Sequence, residues 1–475
     1  MSMLWNSTYV AQNNSTCRAT RRLELRVPTS ILWRVAGSLM LAAVLIPCSQ
    51  AWAQVGGIYI DPRGVLHEAT AATQQQLDAF RDHALEPQGD TTVQVASALR
   101  KISIKRLIQT MRQSDGQPLS SEIRYLAGLT GVRYVLFYPE SQDVVLAGPA
   151  EPWMQLKTGE VVGRQSRRPV LHLDDLVMAV RFAMDVKNQD GFIGCSIEPT
   201  QSGVSRLETL MRRRSSTIKK GGVRQAVHSM QNALGPQQVK FYGIPTDSVF
   251  ALKMLAADYR LKRIALGHDR SPVKQVRNYL DLETRRFRNG PQPQHRWWFI
   301  AKYDALQHSE DRLAFEFVGS GLEVRTGPSQ EDPQQAGTTA NRSAREFAEQ
   351  FTRHVEQMAA EIPVFGELKN LVGLAVAAQL IVDHGQTMQK SLDLQPLLED
   401  DLYSPIKCQV PQWVESLAAM RLVRGKHWLI AISGGVDFDP RKIVRTENWK
   451  QVRADVLNQQ HQTQRPTGKT SWWWD

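Results

Sequence analysis

Cysteine is scarce in this chain, four in 475 residues, which excludes a densely cross-linked scaffold. No HExxH, no CxxC and no histidine pair at helical metal spacing occurs, and the eleven histidines are scattered. GxSxG is missing too, which removes the commonest serine-hydrolase signature, although a triad assembled from distant residues stays open. Long hydrophobic runs are absent: the uncharged stretches over 35–46 and 370–382 both fall short of the ~20 residues that span a bilayer. No tandem repeat of fixed period is present. What remains is a composition of 42% hydrophobic, 22% charged and 8% aromatic residues, which is globular. It excludes a collagen, a coiled-coil rod, a polytopic membrane protein and a wholly disordered chain.

Residues 1–53 have the layout of a secretory signal peptide. Arginines at 18, 21, 22, 26 and 34 precede the apolar run, Pro47 breaks it, and Ala51-Trp52-Ala53 places small residues before a cleavage point at Gln54. Cys48 follows a proline, a poor fit to a lipidation site. Arg21-Arg22 resembles a twin-arginine signal, but Glu24 stands where an apolar residue belongs. General export is therefore the favoured route, and the long prelude is also consistent with a start codon placed too early. Cleavage leaves 53 basic and 46 acidic side chains, net +7 against +11 for the whole chain. Cys195 and Cys408 are then the remaining thiols. A bridge between them would contribute roughly 5 kcal/mol by chain entropy, and the alternative is two buried free thiols.

The mature chain reads as α+β, with mixed strands and helices in the first two-thirds and a helical C-terminal region. An N-terminal α/β domain occupies 54–190, a basic central α/β domain 191–326, a linker 327–342, a mainly helical domain 343–445 and a polar tail 446–475. A hairpin opens the chain around the type I turn Asp61-Pro62-Arg63-Gly64. Helices are expected over 70–84, 99–111, 176–184 and 249–261, and strands over 132–138, 144–147, 169–173, 191–199 and 239–244. Residues 296–300 and 313–318 suit paired strands, with a third over 322–325. Ser343 and Glu346 make a capping box. Phe347, Phe351, Val355 and Met358 then form an amphipathic stripe, and 366–384 is a buried core helix. A short helix over 411–423 and a strand over 428–432 complete the pattern.

Three constellations invite chemistry. Ser433-Gly434-Gly435-Val436-Asp437 follows a strand and resembles the phosphate-cradling SGGxD loop of ATP pyrophosphatases. Phe438 replaces the usual serine and too little chain follows for the surrounding sheet, so a strand-ending turn is the simpler reading. Asp174-Asp175 precedes a helix and suits an N-cap better than an acid–base pair. The charge is the strongest signal. Between Arg206 and Arg224 lie seven cations (Arg206, Arg212, Arg213, Arg214, Lys219, Lys220, Arg224) and one acid; 260–296 holds ten cations and three acids. Such stretches serve an anionic partner or simply solvate a helix face. No aromatic residue interrupts 206–224, which argues against single-stranded nucleic acid. Alternation puts one of Trp297 and Trp298 in the core and the other on the opposite sheet face. The Trp472-Trp473-Trp474 triplet needs a surface to dock on, on the body or on a partner.

Several blocks together resemble a planctomycete family of exported proteins whose domain is of unknown function. They are Gly148-Pro149-Ala150-Glu151-Pro152-Trp153, Arg168-Pro169-Val170-Leu171-His172-Leu173-Asp174-Asp175-Leu176, Cys195-Ser196-Ile197-Glu198-Pro199-Thr200, Ala257-Asp258-Tyr259-Arg260-Leu261-Lys262-Arg263 and Arg296-Trp297-Trp298-Phe299. The resemblance runs from about residue 56 to 439. It implies export and a structural role for the SGGxD segment, and brings no activity, cofactor or catalytic residue.

The expected protein is an exported envelope or secreted component, non-catalytic, binding or scaffolding through its basic surface. Its partner would be an anionic envelope polymer or another envelope protein, with no specific nucleic acid, cofactor or metal and no transmembrane anchor in the mature chain. The competing expectation is an envelope polymer hydrolase using Asp174 or Asp175, and a third is a nucleotide-dependent enzyme using Ser433 to Asp437. N-terminal sequencing of native protein from envelope or medium is expected to begin at Gln54; material from cytosol that begins at Met1 would overturn the leader reading.

Overall fold

The structure, a computed structural model, describes residues 58–60, 65–68, 91–114, 117–156, 158–185, 191–213, 222–286, 294–303, 305–327, 342–387, 392–423, 426–445, 448–451, 457–458, 461–462 and 471–475. They belong to the unit formed by residues 52–475. The leader, the turn at 61–64, the helix expected over 70–84 and most of the linker lie outside the described residues.

The strands, in chain order, are β1 (Ile58–Ile60), β2 (Val65–Glu68), β3 (Ser97–Ser103), β4 (Tyr134–Tyr138), β5 (Asp143–Ala150), β6 (Trp153–Gln155), β7 (Val161–Gly163), β8 (Ile193–Pro199) and β9 (Gln237–Tyr242). They continue as β10 (Gln294–Lys302), β11 (Ala305–His308), β12 (Ala314–Val318), β13 (Gly321–Gly327), β14 (Trp413–Val414), β15 (Ala418–Val423), β16 (Lys426–Phe438), β17 (Trp449–Gln451) and β18 (Trp473–Trp474). The described α-helices are α1 (Ile104–Gln113), α2 (Ser121–Arg124), α3 (Leu173–Met184), α4 (Gln201–Arg213), α5 (Val223–Leu234), α6 (Val249–Ala265), α7 (Tyr279–Arg286), α8 (Arg342–Arg353), α9 (Val355–Glu361), α10 (Pro363–Thr387) and α11 (Pro440–Val444).

Two large sheets organise these elements. The nine-stranded sheet runs β1-β2-β14-β9-β8-β16-β10-β13, with β15 paired to β16; the seven-stranded sheet runs β17-β11-β12-β4-β5-β3-β18. A two-stranded sheet joins β6 to β7. The larger sheet takes strands from all three segments distinguished in the sequence, and the smaller takes strands from the first two and from the tail. One continuous apolar core contains residues of both sheets together with α3, α6, α8 and α10. Helix α10 is long and apolar enough to cross a membrane, with a mean hydropathy of 1.4, yet 94% of its most apolar window is buried inside the fold. It is the buried core helix that its sequence promised.

Several segments depart from expectation for identifiable reasons. The first half of the helix expected over 99–111 is strand β3, because pairing with β5 (Ile102 opposite Leu146) supplies ladder bonds that local preference does not weigh. Ser103 turns strand into helix: its hydroxyl donates to Asp143 at 2.6 Å and accepts from the Arg106 N–H at 3.1 Å. Residues 169–173 make only a single bridge, Pro169 to Val162, since proline has no N–H for a ladder. β10 and β12 are not partners; β10 lies between β16 and β13, and β12 between β11 and β4 in the other sheet. Ser343 is buried in the first turn of α8, which starts at Arg342, rather than at the cap position before it. The helical C-terminal region is continuously helical only as far as α10; beyond it lie β14, β15 and β16 and the short α11. The helix expected over 411–423 is β14 and β15, and β15 folds back on β16 as a hairpin (Val423 opposite Lys426).

The SGGxD segment is neither a phosphate loop nor a turn. It lies inside β16, parallel to β10 and antiparallel to β8. A Cβ on Gly434 would stand 2.1 Å from the Trp297 carbonyl oxygen, and one on Gly435 2.1 Å from that of Cys195. The two glycines let neighbouring backbones close up, and the backbone N–H groups are committed to the sheet rather than to an anion. Gly435→Ala is expected to destabilise the chain by about 1–3 kcal/mol in denaturant titration; an unchanged midpoint would refute the close-approach reading.

Candidate functional site

Helix α6 carries the densest set of buried charges. Ser248 starts it by accepting from the Ala251 N–H at 3.2 Å. Toward α3 and α10 it presents Lys253, whose Nζ lies 2.6 Å from Asp175 Oδ2 and 3.9 Å from Glu367 Oε1, with all three side chains at most 4% exposed. Burying single ions would cost several kcal/mol each, so they are held as a group. Burial is the largest influence on Lys253 and would pull its ammonium down, but Asp175 and Glu367 outweigh it and keep the group above lysine's ordinary value. Burial pushes the Glu367 carboxyl up to about 8, and burial with Lys253 adding to it holds His172 well below the ordinary histidine value.

The N-cap assignment for the acids is corrected here. His172 holds the cap position of α3, with no side-chain cap bond, and Asp174 and Asp175 lie in the first turn, where the helix dipole still favours them. They diverge. Asp174 Oδ1 accepts from the Tyr403 hydroxyl at 3.0 Å and the Ile406 N–H at 2.8 Å, tying down the loop before β14. Asp175 points inward to Lys253. A polymer has no approach to an acid so enclosed, and the two carboxylates do not face one space.

The far half of α6 faces β16. Lys262 Nζ lies 2.7 Å from Asp258 Oδ2, one turn away, with exposures of 1% and 0%. Both pack on Gly434, where a Cβ would reach within 2.8 Å of each. Burial drives Asp258 up and Lys262 down, toward the neutral forms. Cys195 sits in the same region; burial, with Asp258 adding to it, holds its thiol far above the ordinary value. Cys408 is pushed up to about 11, by burial and then by Asp247. Both thiols are free, so the pairing left open by the sequence is not formed, and neither supplies a thiolate at neutral pH.

Part of the second basic stretch is taken up in pairs, while Arg270 and Lys274 are exposed. Lys262 is buried with Asp258, Arg260 and Arg263 share Asp269 at 2.8 Å each, and Arg277 reaches Glu346 at 3.1 Å. The first stretch is different. α4 and α5 form a hairpin that packs through Leu207, Met230 and Leu234 onto Ala418 of β15, a cluster separate from the main core. Gly203 lets the helices touch, since a Cβ there would meet the Leu234 carbonyl oxygen at 2.0 Å. Arg206 donates to the Ala233 carbonyl at 2.9 Å across the hairpin. Arg212 is 84% exposed, with Glu208 3.8 Å away. Arg213 and Arg224 fall in the helices with no side-chain placement described, and Arg214, Lys219 and Lys220 lie outside the described residues.

Other features resolve structurally. Both indoles of Trp297 and Trp298 are buried, at 0% and 1% exposed, so neither is a stacking platform. A cavity of about 320 Å³ is lined by Thr130, Arg168, Tyr303, Glu356, Lys369 and Asn370. Its acid, Glu356, is already neutralised by Lys369 and by Arg168 at 3.4 Å. The buried network on α6 was invisible to motif reasoning; charged residues inside the otherwise apolar helical run 249–265 were its one available signal.

Residues 195–279, from Cys195 on β8 through the hairpin and α6 to Tyr279, match a family model described as Protein of unknown function (DUF1598). No curated protein and no solved structure matches the chain. The matched segment holds Lys253, Asp258 and Lys262 and the whole basic hairpin, and its description brings no activity to them.

The pH response of this network has a definite sign. Glu367 titrates near 8 when folded, against an ordinary 4.5, so the folded chain holds a proton that the unfolded chain releases in between. Its contribution to stability is present at low pH and is lost as pH rises through about 8. Denaturant stability should therefore fall from about pH 5 to about pH 8 and level off above, and Glu367→Gln should flatten that fall; an equal fall in both chains would count against it.

Proposed function

We propose that this is an exported, non-catalytic binding or scaffolding protein of the cell envelope, with the α4–α5 hairpin as its contact face for an anionic envelope polymer. The observation that carries the reading is the contrast between two sets of charges. The charges of α6 are closed in interior pairs, whereas Arg212 projects into solvent from a hairpin standing on its own small apolar cluster. Seven cations and one acid within 206–224 give that hairpin a field that an array of carboxylates or phosphates would feel well before contact. Attraction of this kind releases counterions and weakens steeply with salt.

Retention on an immobilised polyglutamate column tests it. The mature chain should bind at low ionic strength and elute as salt rises. The triple variant Arg212→Glu, Arg213→Glu, Arg214→Glu should bind about tenfold more weakly while melting at the same temperature. Retention that ignores both salt and the triple variant would sink the contact face.

A further inference from the structure

The edge of the seven-stranded sheet beyond β3 is filled by residues 471–475. β18 pairs antiparallel with β3, Trp473 opposite Ile102 and Trp474 opposite Lys101. The Ser103 N–H donates to the Trp472 carbonyl at 2.8 Å, and the Arg106 guanidinium to the Ser471 carbonyl at 3.2 Å. All three indoles are buried, at 6–7% exposed. Trp472 and Trp473 join the main core, while Trp474 joins the cluster on the opposite face of the sheet.

Arg100 is the anchor. Its side chain is 0% exposed, and its fork grips the Asp475 carboxylate with Nε to Oδ1 at 2.8 Å and Nη2 to Oδ2 at 2.9 Å. Its remaining bonds go to the Ala127 and Val95 carbonyls at 2.8 and 2.9 Å, and its guanidinium carbon sits 4.7 Å from the Trp473 ring centroid. Paired ladder, aromatic burial and a bidentate charge are the elements of peptide recognition by strand addition. The backbone bonds and the ion pair made by 471–475 are to residues lying between Val95 and Ala127. The recognition is self-contained and owes nothing to which chain carries the five residues.

We propose that the β3 edge with Arg100 is a docking site for the 471–475 segment of a second copy of this chain, so that copies are joined by exchanged tails. The occupant is argued from the groove itself: the one segment known to match its ladder, its indole positions and its cation is this chain's own. Seating in trans would keep the backbone bonds and the ion pair of 471–475, while the docking of Leu457 and His461 on β4 and the effective concentration of a tethered tail favour cis in dilute solution. Exchange then grows as the chain is concentrated.

Two measurements test it on the mature chain. In sedimentation velocity, dimer should grow with concentration up to about 0.5 mM, where seating in trans competes with the cis tether, and should be lost in Asp475→Lys, whose tail Arg100 repels. A fluorescent Ser-Trp-Trp-Trp-Asp peptide should bind Asp475→Lys saturably and the intact dilute chain at least tenfold more weakly, and a peptide ending in Asn should bind Asp475→Lys at least tenfold more weakly than the Asp peptide. Because Asp475→Lys retains the whole chain, a melting temperature close to that of the intact chain shows that the site is still built; if it does not fold, Asp475→Asn replaces it in both measurements. Peptide that ignores the opened site, or that binds equally well as Asn, overturns the groove. Dimer content equal in the two chains, or nil throughout, overturns the exchange.

Discussion

Helix α6 has almost no face to spare. Fourteen of its seventeen residues are buried, and three of those, Lys253, Asp258 and Lys262, are charged. A helix so placed needs a partner for each charge, because an unpaired ion in this interior would take up a large part of a whole domain's stability margin. Two of the charges solve this locally, one turn apart. Lys253 cannot, and its partners must come from α3 and α10. The position of those helices is thus fixed by an electrostatic demand as well as by apolar packing, and α10 accepts one buried acid, Glu367, among mostly apolar buried side chains.

Local pattern carried much of the architecture. The strands β8, β9 and β13, the stripe Phe347, Phe351, Val355 and Met358, and the buried character of α10 were all legible, because each shows in the local run of apolar residues. Misreadings arose where a distant partner decided. Residues 97–103 and 418–423 became strands because β5 and β16 lay waiting to pair, and the two glycines of β16 reported neighbouring backbones rather than a ligand. The paired carboxylates misled in a different way. Adjacency in sequence suggested a shared role, but consecutive residues on a helix point about 100° apart, so Asp174 and Asp175 serve different neighbours.

The charge count shows what composition can and cannot locate. A stretch of ten cations against three acids reads as a basic surface, yet in 260–296 Lys262 turns into the core and Arg260, Arg263 and Arg277 meet acids. Linear counting misses this because Asp258 lies just outside the window and Glu346 far outside it. In 206–224 the sole acid is Glu208, which lies 3.8 Å from Arg212. The difference between a surface and a scaffold of pairs lies in the three-dimensional supply of carboxylates, which a count along the chain does not see.

The tail follows from the same kind of accounting applied to apolar area. Every residue of β4 is buried, so this strand needs cover on both sides. Val135 and Phe137 face the main core; Tyr134, Leu136 and Tyr138 face outward and are met by Leu457 and Trp474, with His461 stacked on Tyr138 at 4.5 Å between ring centroids. Without the tail that outer face would be an exposed apolar patch beside an open strand edge, the combination most prone to unplanned pairing. A run of three tryptophans and an acid looks like an appendage when read along the chain. Against the outer face of β4 and the buried guanidinium of Arg100, it is the part that closes the smaller sheet.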